Sequence, residues 1–129
     1  MDSSALVKRY VAEPDSELVR AAMQADDGWF ACRIAFVETV RAVGLAAGEG
    51  ATQPLREEWP SFGVVEVDQE LVEHAAQLAL DDGLRSLDAL HLAAALLLAT
   101  DELVLATWDR RLHAAAQSHQ LSTLPERLP

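Results

Sequence analysis

One lysine, one cysteine and no long apolar run: each shortage in this chain closes off a class of protein. With Cys32 alone no internal disulfide can form, which fits a reducing cytoplasm as the place of work. Cys32 itself reads as a core residue of a strand. The longest apolar stretch, Leu92 to Ala99, falls far short of the roughly 20 residues that a bilayer requires. Flanked by His91, Asp101 and Glu102, it reads as a buried helix, so no membrane association is expected. A basic segment leading into an apolar run and a small-residue cleavage site is also missing, and no secretory leader is expected. Positive charge is scarce: ten Lys and Arg stand against 21 Asp and Glu, a net charge of −11. Gripping nucleic acid by bulk electrostatics needs Lys and Arg to replace counterions, so the balance argues against that mode. An RNA-directed site here must draw positive charge from bound divalent cations or from a basic partner.

What is present suffices for one core. At 129 residues the chain is long enough for one domain, residues 1–129, and too short for two. Half its residues are apolar and none of its polar residues form a tract, so disorder is expected at the ends alone. Ser3 or Ser4 is suited to cap a helix through Tyr10, with Lys8 and Arg9 in its last turn. Residues 17–25 carry Leu18, Val19, Ala22 and Met23 on one side, as an amphipathic helix requires. A strand is predicted over 29–33, and the apolar residues at 34, 37, 40, 44 and 45 predict a helix over 34–47. A weak helix over 51–61, a strand over 63–68 and a helix over 69–82 follow. Ser86 is placed to cap a strongly apolar helix over 87–100. Next come a strand over 103–107, a helix over 109–119 and an edge strand over 121–124. Strands separated by helices imply a parallel sheet covered on both faces, and ligands bind beyond the carboxyl ends of such strands.

Four acids stand at those places: Asp2, Glu38, Asp88 and Asp109. Taken singly, Asp109 and Asp2 are ordinary helix caps, and Asp88 is a first-turn acid favoured by the helix dipole. Glu38 is harder to dismiss, because helical spacing puts it on the stripe of Ile34, Val37 and Leu45. A carboxylate buried there needs a cation, either Arg41 one turn on or a metal. Four acids at one sheet edge would raise one another's pKa values unless a cation neutralised them. Oxygen donors without cysteine or a histidine pair select magnesium, with manganese as the other candidate, over zinc. His74, His91, His113 and His119 are scattered, although His91 follows Asp88 by three positions and can border the site. The chemistry suited to such a set is phosphodiester hydrolysis by metal-activated water, without a protein nucleophile. Basic residues sit near each acid: Lys8 and Arg9 after Asp2, Arg85 before Asp88, and Arg110 and Arg111 after Asp109. Solvated helix ends would explain each of them. Arg85 is the first choice for a phosphate contact, with Arg110 second.

The strings around these acids resemble those of the PIN-domain ribonucleases, and specifically the VapC toxins of bacterial type II toxin–antitoxin pairs. Asp2-Ser3-Ser4-Ala5-Leu6-Val7-Lys8 resembles the opening motif, and Glu38 in Phe36-Val37-Glu38 the second acid. The segments Arg85 to Ala95 and Leu105 to Leu112 resemble the third and fourth motifs closely. The resemblance runs nearly end to end. It implies an α/β/α sandwich around a central parallel sheet and magnesium-dependent endonucleolytic cleavage of RNA. Asp2, Glu38, Asp88 and Asp109 would hold the metal, and Ser4 and Thr107 would support the carboxylates by hydrogen bonds. It further implies inhibition by a VapB-type antitoxin packed on the early helices, with a homodimer or a toxin–antitoxin hetero-oligomer as the assembly.

The chain departs from that pattern at one place. The family has an apolar strand of a few residues before its first Asp, whereas Met1 alone precedes Asp2 here. Either the start lies upstream or the sheet lacks a central strand. In the second case the sheet loses pairing at its middle and Asp2 becomes a mobile terminus. A different kind of function follows from that truncation: an inactive PIN domain that captures the antitoxin as a binding module. A phosphate-accepting receiver domain also uses acids at strand ends, but it requires a lysine late in the chain, and Lys8 is the only one.

Overall fold

All four strands are three residues long, and three of them lead within a few residues into a helix, which carries whatever follows each strand to one edge of the molecule. The computed structural model describes all 129 residues. In chain order its elements are α1 (Ser3–Tyr10), α2 (Ser16–Ala25), β1 (Phe30–Cys32), α3 (Ile34–Ala47), α4 (Gln53–Glu58, between 3₁₀ turns at Glu49–Thr52 and Trp59–Ser61) and β2 (Gly63–Val65). Then come α5 (Gln69–Asp82), α6 (Ser86–Leu97), β3 (Val104–Ala106), α7 (Arg110–Ser118) and β4 (Ser122–Leu124). No helix is long and apolar enough to cross a membrane.

Both strand pairings are parallel, as crossover helices demand, with Phe30 opposite Gly63 in one pair and Val104 opposite Ser122 in the other. The sheet, however, falls into two halves, β1–β2 and β3–β4, with no ladder joining β1 to β3. The predicted loss of pairing at the middle is therefore present. The predicted looseness of Asp2 is not. Its N–H donates to Ala106 O at 3.2 Å, its carboxylate takes three hydrogen bonds, and the residue is 3% exposed. Gly63 is dictated by its partner across the ladder. A Cβ there would lie 2.5 Å from the Phe30 ring, closer than packed carbon atoms come.

Strand alternation sends successive residues to opposite faces, and a core forms on each. Ala31 joins Leu6, Val19, Met23, Ala35 and Phe62 under α1, α2 and α3. Cys32 and Val65 join the larger cluster of α5, α6 and α7, built around Leu78, Leu92, Leu105 and Leu112. The result is an α/β/α arrangement with helices on both faces of a small parallel sheet, and Cys32 is the strand core residue expected. Three helices begin the same way: Asp2, Asp68 and Asp109 each accept from the backbone N–H three residues on, at Ala5, Leu71 and Leu112. Asp2, not Ser3 or Ser4, thus caps α1. Ser86 is likewise the first residue of its helix and not the cap, a place taken by Arg85 with no side-chain bond. Gly83 ends α5 at φ +65°, a left-handed turn that a side chain would strain.

The α3 boundaries agree with the spacing, but its buried face does not. Ala35, Thr39 and Val43 face inward, whereas Val37 and Leu45 are 63% and 73% exposed. The inward stripe is built of small residues because α1 packs closely against it. Bulk alone therefore misleads about which side is covered.

Candidate active site

The first acid is held by elements that are far apart in sequence. Three neighbours hold the Asp2 carboxylate: Ser4 Oγ donates to Oδ1 at 2.7 Å, Ala5 N–H to Oδ1 at 3.1 Å, and Thr107 Oγ1 to Oδ2 at 2.8 Å, while Ala106 O fixes its backbone. Thr107, fully buried just past β3, also accepts from Asp109 N–H at 3.1 Å. One hydroxyl thereby ties the first acid to the fourth. Ser4 Oγ in turn accepts from Trp108 N–H at 2.8 Å, closing a ring of short polar contacts between α1 and the β3–α7 turn. Ser4 and Thr107, the two residues that the resemblance names as supports, both donate to the Asp2 carboxylate.

The third and fourth acids are joined by a cation. Arg85 Nε donates to Asp88 Oδ2 at 3.2 Å, and its Nη2 donates to Asp109 Oδ2 at 3.2 Å. The guanidinium side chain is 69% exposed, while the two carboxylate side chains are 15% and 24% exposed. Burial first, and then the negative charge of Asp109, push the Asp88 carboxyl above the ordinary carboxylate range, with Arg85 pulling it back. Glu38 stands one partner further out. Its Oε1 lies 2.6 Å from Nε2 of His91, one turn along α6 from Asp88, and since a carboxylate can only accept, the ring N–H donates. The partner beside Glu38 is thus His91, and not Arg41, which is exposed on α3. With its Nδ1 buried and unpartnered, His91 is tied down by this single bond.

An unbroken series of contacts therefore runs through Asp2, Thr107, Asp109, Arg85 and Asp88 along α6 to His91 and Glu38. All four acids lie at the carboxyl end of the sheet. They are not gathered into a ready cage: no three His, Cys, Asp or Glu side chains are arranged to hold a metal ion. By donor type and charge the set nonetheless fits a hard divalent cation, having four carboxylates, no sulfur ligand and two like charges that repel across Arg85. Closing on such an ion requires Arg85 and His91 to let go of the oxygens they hold.

Of the basic residues near the acids, most are committed elsewhere. Lys8 donates to Pro14 O at 2.8 Å and stands over the Trp108 ring, and Arg9 forms a two-point pair with Glu58 at 2.9 and 2.7 Å. Arg85 alone reaches the acids, while Arg110 lies exposed on the first turn of α7. One participant escaped the sequence reading. Trp108 bonds Ser4 through its backbone and Asp15 through its indole at 3.0 Å, and nothing in its spacing announces either contact. The grip of His91 on Glu38 was foreshadowed by the three-residue step from Asp88.

Comparison with known proteins identifies the family. The PIN domain family matches residues 1–117. Ribonuclease VapC45 of Mycobacterium tuberculosis (strain CDC 1551 / Oshkosh) is 34% identical over 136 residues, which takes in 98% of this chain and 94% of that protein. Ribonuclease VapC49 of M. tuberculosis (strain ATCC 25618 / H37Rv) gives the same figures. Ribonuclease VapC46 of that strain is 36% identical over 118 residues, 92% of this chain and 89% of its own length.

Proposed function

The chain belongs to the PIN-domain family and, within it, to the VapC branch; from that premise we propose that it is a magnesium-dependent endoribonuclease toxin, held in check by a cognate VapB-type antitoxin and working in the cytoplasm. The observation that carries the reading is the series of contacts that brings Asp2, Glu38, Asp88 and Asp109 to one sheet edge. Asp2, Glu38, Asp88 and Asp109 would hold the metal, which when bound supplies an activated water and neutralises charge at the phosphodiester. Manganese is the expected substitute.

The chain's own residues do the rest. Ser4, Thr107 and Ala5 N–H present Asp2 in one orientation, because three donors satisfy its two oxygens. Thr107 holds the turn that presents Asp109. His91 fixes the rotamer of Glu38. Arg85, exposed and adjacent to two acids, is the group positioned to turn toward an incoming RNA phosphate, with Arg110 as the next along the same edge. The outward apolar stripe of α3, Val37 and Leu45, supports a partner's covering this side, be it antitoxin or a second copy.

One observation favours the second reading, an inactive module that captures the antitoxin: the sheet is broken beside Asp2. Cleavage of a structured RNA by the purified chain decides between them, with magnesium, with EDTA and with Asp88→Ala. Magnesium-dependent cutting that Asp88→Ala abolishes sustains the nuclease. Failure to cut under any divalent condition leaves the binding module.

A further inference from the structure

The turn that presents Asp109 is also gripped from a quarter that the proposed chemistry does not use, the loop between α1 and α2. The grip is on Trp108. Its backbone N–H donates to Ser4 Oγ at 2.8 Å, its indole N–H donates to Asp15 Oδ2 at 3.0 Å, and the Lys8 ammonium stands 5.1 Å from the centre of its ring. One edge and one face of the indole are thus held by opposite charges, which together fix its orientation. Both charges belong to the same loop. Lys8, 8% exposed and the only lysine of the chain, donates to Pro14 O at 2.8 Å and reaches Glu13 Oε1 at 3.5 Å. Ser16 closes the loop on itself, for its hydroxyl donates to Val11 O at 3.0 Å and accepts from Glu13 N–H at 2.9 Å.

Asp15 is the unusual member of this cluster. It stands at the N-cap of α2, and where Asp2, Asp68 and Asp109 each accept from the N–H three residues on, its carboxylate makes no cap bond. Its backbone is left-handed, at φ +67° and ψ +8°. Asp tolerates that region better than most residues, but a non-glycine residue stays there only where its surroundings impose it. The residue thus forgoes a cap, accepts a strained backbone, and bonds instead to a side chain 93 positions away. That bond faces solvent, where a single polar contact adds little to stability. A contact of small energetic worth, held at two local costs, is accounted for by what it orients.

We propose that Asp15 is a positioning residue of the candidate active site, acting through Trp108 on the turn that carries Thr107 and Asp109; its effect on catalysis, though not its effect on the turn, rests on the nuclease reading. Trp108 stands between the residue whose hydroxyl Asp2 and Asp109 share and Asp109 itself. With the indole released, the bonds from Trp108 N–H to Ser4 Oγ and from Asp109 N–H to Thr107 Oγ1 open more often. The first and fourth acids then lose the frame they have in common. Lys8 steadies the ring from its face, and Asp15 sets its rotation from the edge.

The test compares the parent with Asp15→Gly, Asp15→Asn and Trp108→Phe, and with Asp68→Ala, which removes a helix cap that bonds none of these groups. The readouts are hydrogen exchange at the Trp108 and Asp109 amides, magnesium affinity by calorimetry, Tm, and the kcat and KM of RNA cleavage. Asn keeps an acceptor oxygen and tolerates the left-handed turn, so Asp15→Asn is expected to match the parent within about twofold. Asp15→Gly keeps the turn but lacks the acceptor, and Trp108→Phe lacks the donor. Both are expected to speed exchange at the two amides about tenfold, weaken magnesium binding about fivefold and lower kcat about tenfold with KM little changed. Tm of Asp15→Gly is expected to stay at or above that of Asp68→Ala. Exchange unmoved in Asp15→Gly, or a kcat that follows Tm across all four variants, would overturn the proposal. So would a rise in KM alone, since Trp108 would then touch RNA instead of holding the turn. A parent that cleaves no RNA sinks the nuclease reading, and exchange at the two amides still decides whether Asp15 holds the turn.

Discussion

On the proposed reading, Asp88 is the residue at which stability and activity pull in opposite directions. Burial and Asp109 raise its carboxyl pKa above 3.8, so the folded chain holds that proton more tightly than the unfolded one. Its contribution to stability is therefore present at acidic pH and is lost as pH rises through the raised value. Asp88→Asn is expected to leave Tm at pH 7 unchanged or higher in EDTA while abolishing RNA cleavage, and thermal melts from pH 4 to 7 would show a flatter slope than the parent. Thr107→Val makes the complementary case. It keeps shape at a fully buried position but removes the hydroxyl shared by Asp2 and Asp109 N–H, and about 1–3 kcal/mol should be lost in urea unfolding. Arg85→Ala should lower kcat/KM for RNA by about 10- to 100-fold, the worth of a charge-assisted contact. The same change should tighten magnesium binding measured by calorimetry, since Arg85 holds oxygens of Asp88 and Asp109. A weaker magnesium affinity in Arg85→Ala would contradict the competition described.

At the scale of elements, two helices offer a matched pair. Asp2 and Asp68 cap α1 and α5 with the same bond to the third backbone N–H. Asp2→Ala and Asp68→Ala should each cost about 0.5–2 kcal/mol by denaturant titration, whereas cleavage should fall in Asp2→Ala alone. Equal loss of cleavage in both would reduce Asp2 to a structural cap. Much at this scale was legible beforehand: α3 and α5 begin and end where turn chemistry and periodicity put them, and Asp2 and Asp109 fall at helix starts, where cap chemistry asks for the same residue as the candidate site. The buried side of α3 was not legible. Thr39 and Ala35 face inward while Val37 and Leu45 face out, because close approach of α1 selects for small size, which a hydrophobicity pattern ranks low. The contacts of Glu38 were missed with it, since its partner comes from α6, more than fifty residues away.

For the whole molecule, charge makes the clearest prediction. At −11, with Lys8 and Arg9 engaged internally, few free cations face RNA. A fit of log K against log[KCl] for single-stranded RNA at fixed magnesium should have a slope of about −1 to −2, as two phosphate contacts imply. A slope several times steeper would place the RNA on another, basic surface. Raising magnesium should raise Tm as well, since at one hundred times its dissociation constant a ligand bound to the folded chain alone adds about 2.7 kcal/mol of stability.

The two apolar clusters on opposite faces of β1 divide the acids evenly. Asp2 and Glu38 ride on the half built from α1, α2 and α3, and Asp88 and Asp109 on the half built from α5, α6 and α7. The candidate edge is therefore assembled across both cores and bridged by the bonds from Thr107 Oγ1 to the Asp2 carboxylate and from Asp2 N–H to Ala106 O. On the proposed nuclease reading, a ligand that shifts one core against the other is expected to lower cleavage without touching the carboxylates, as removal of the bridging Thr107 hydroxyl would.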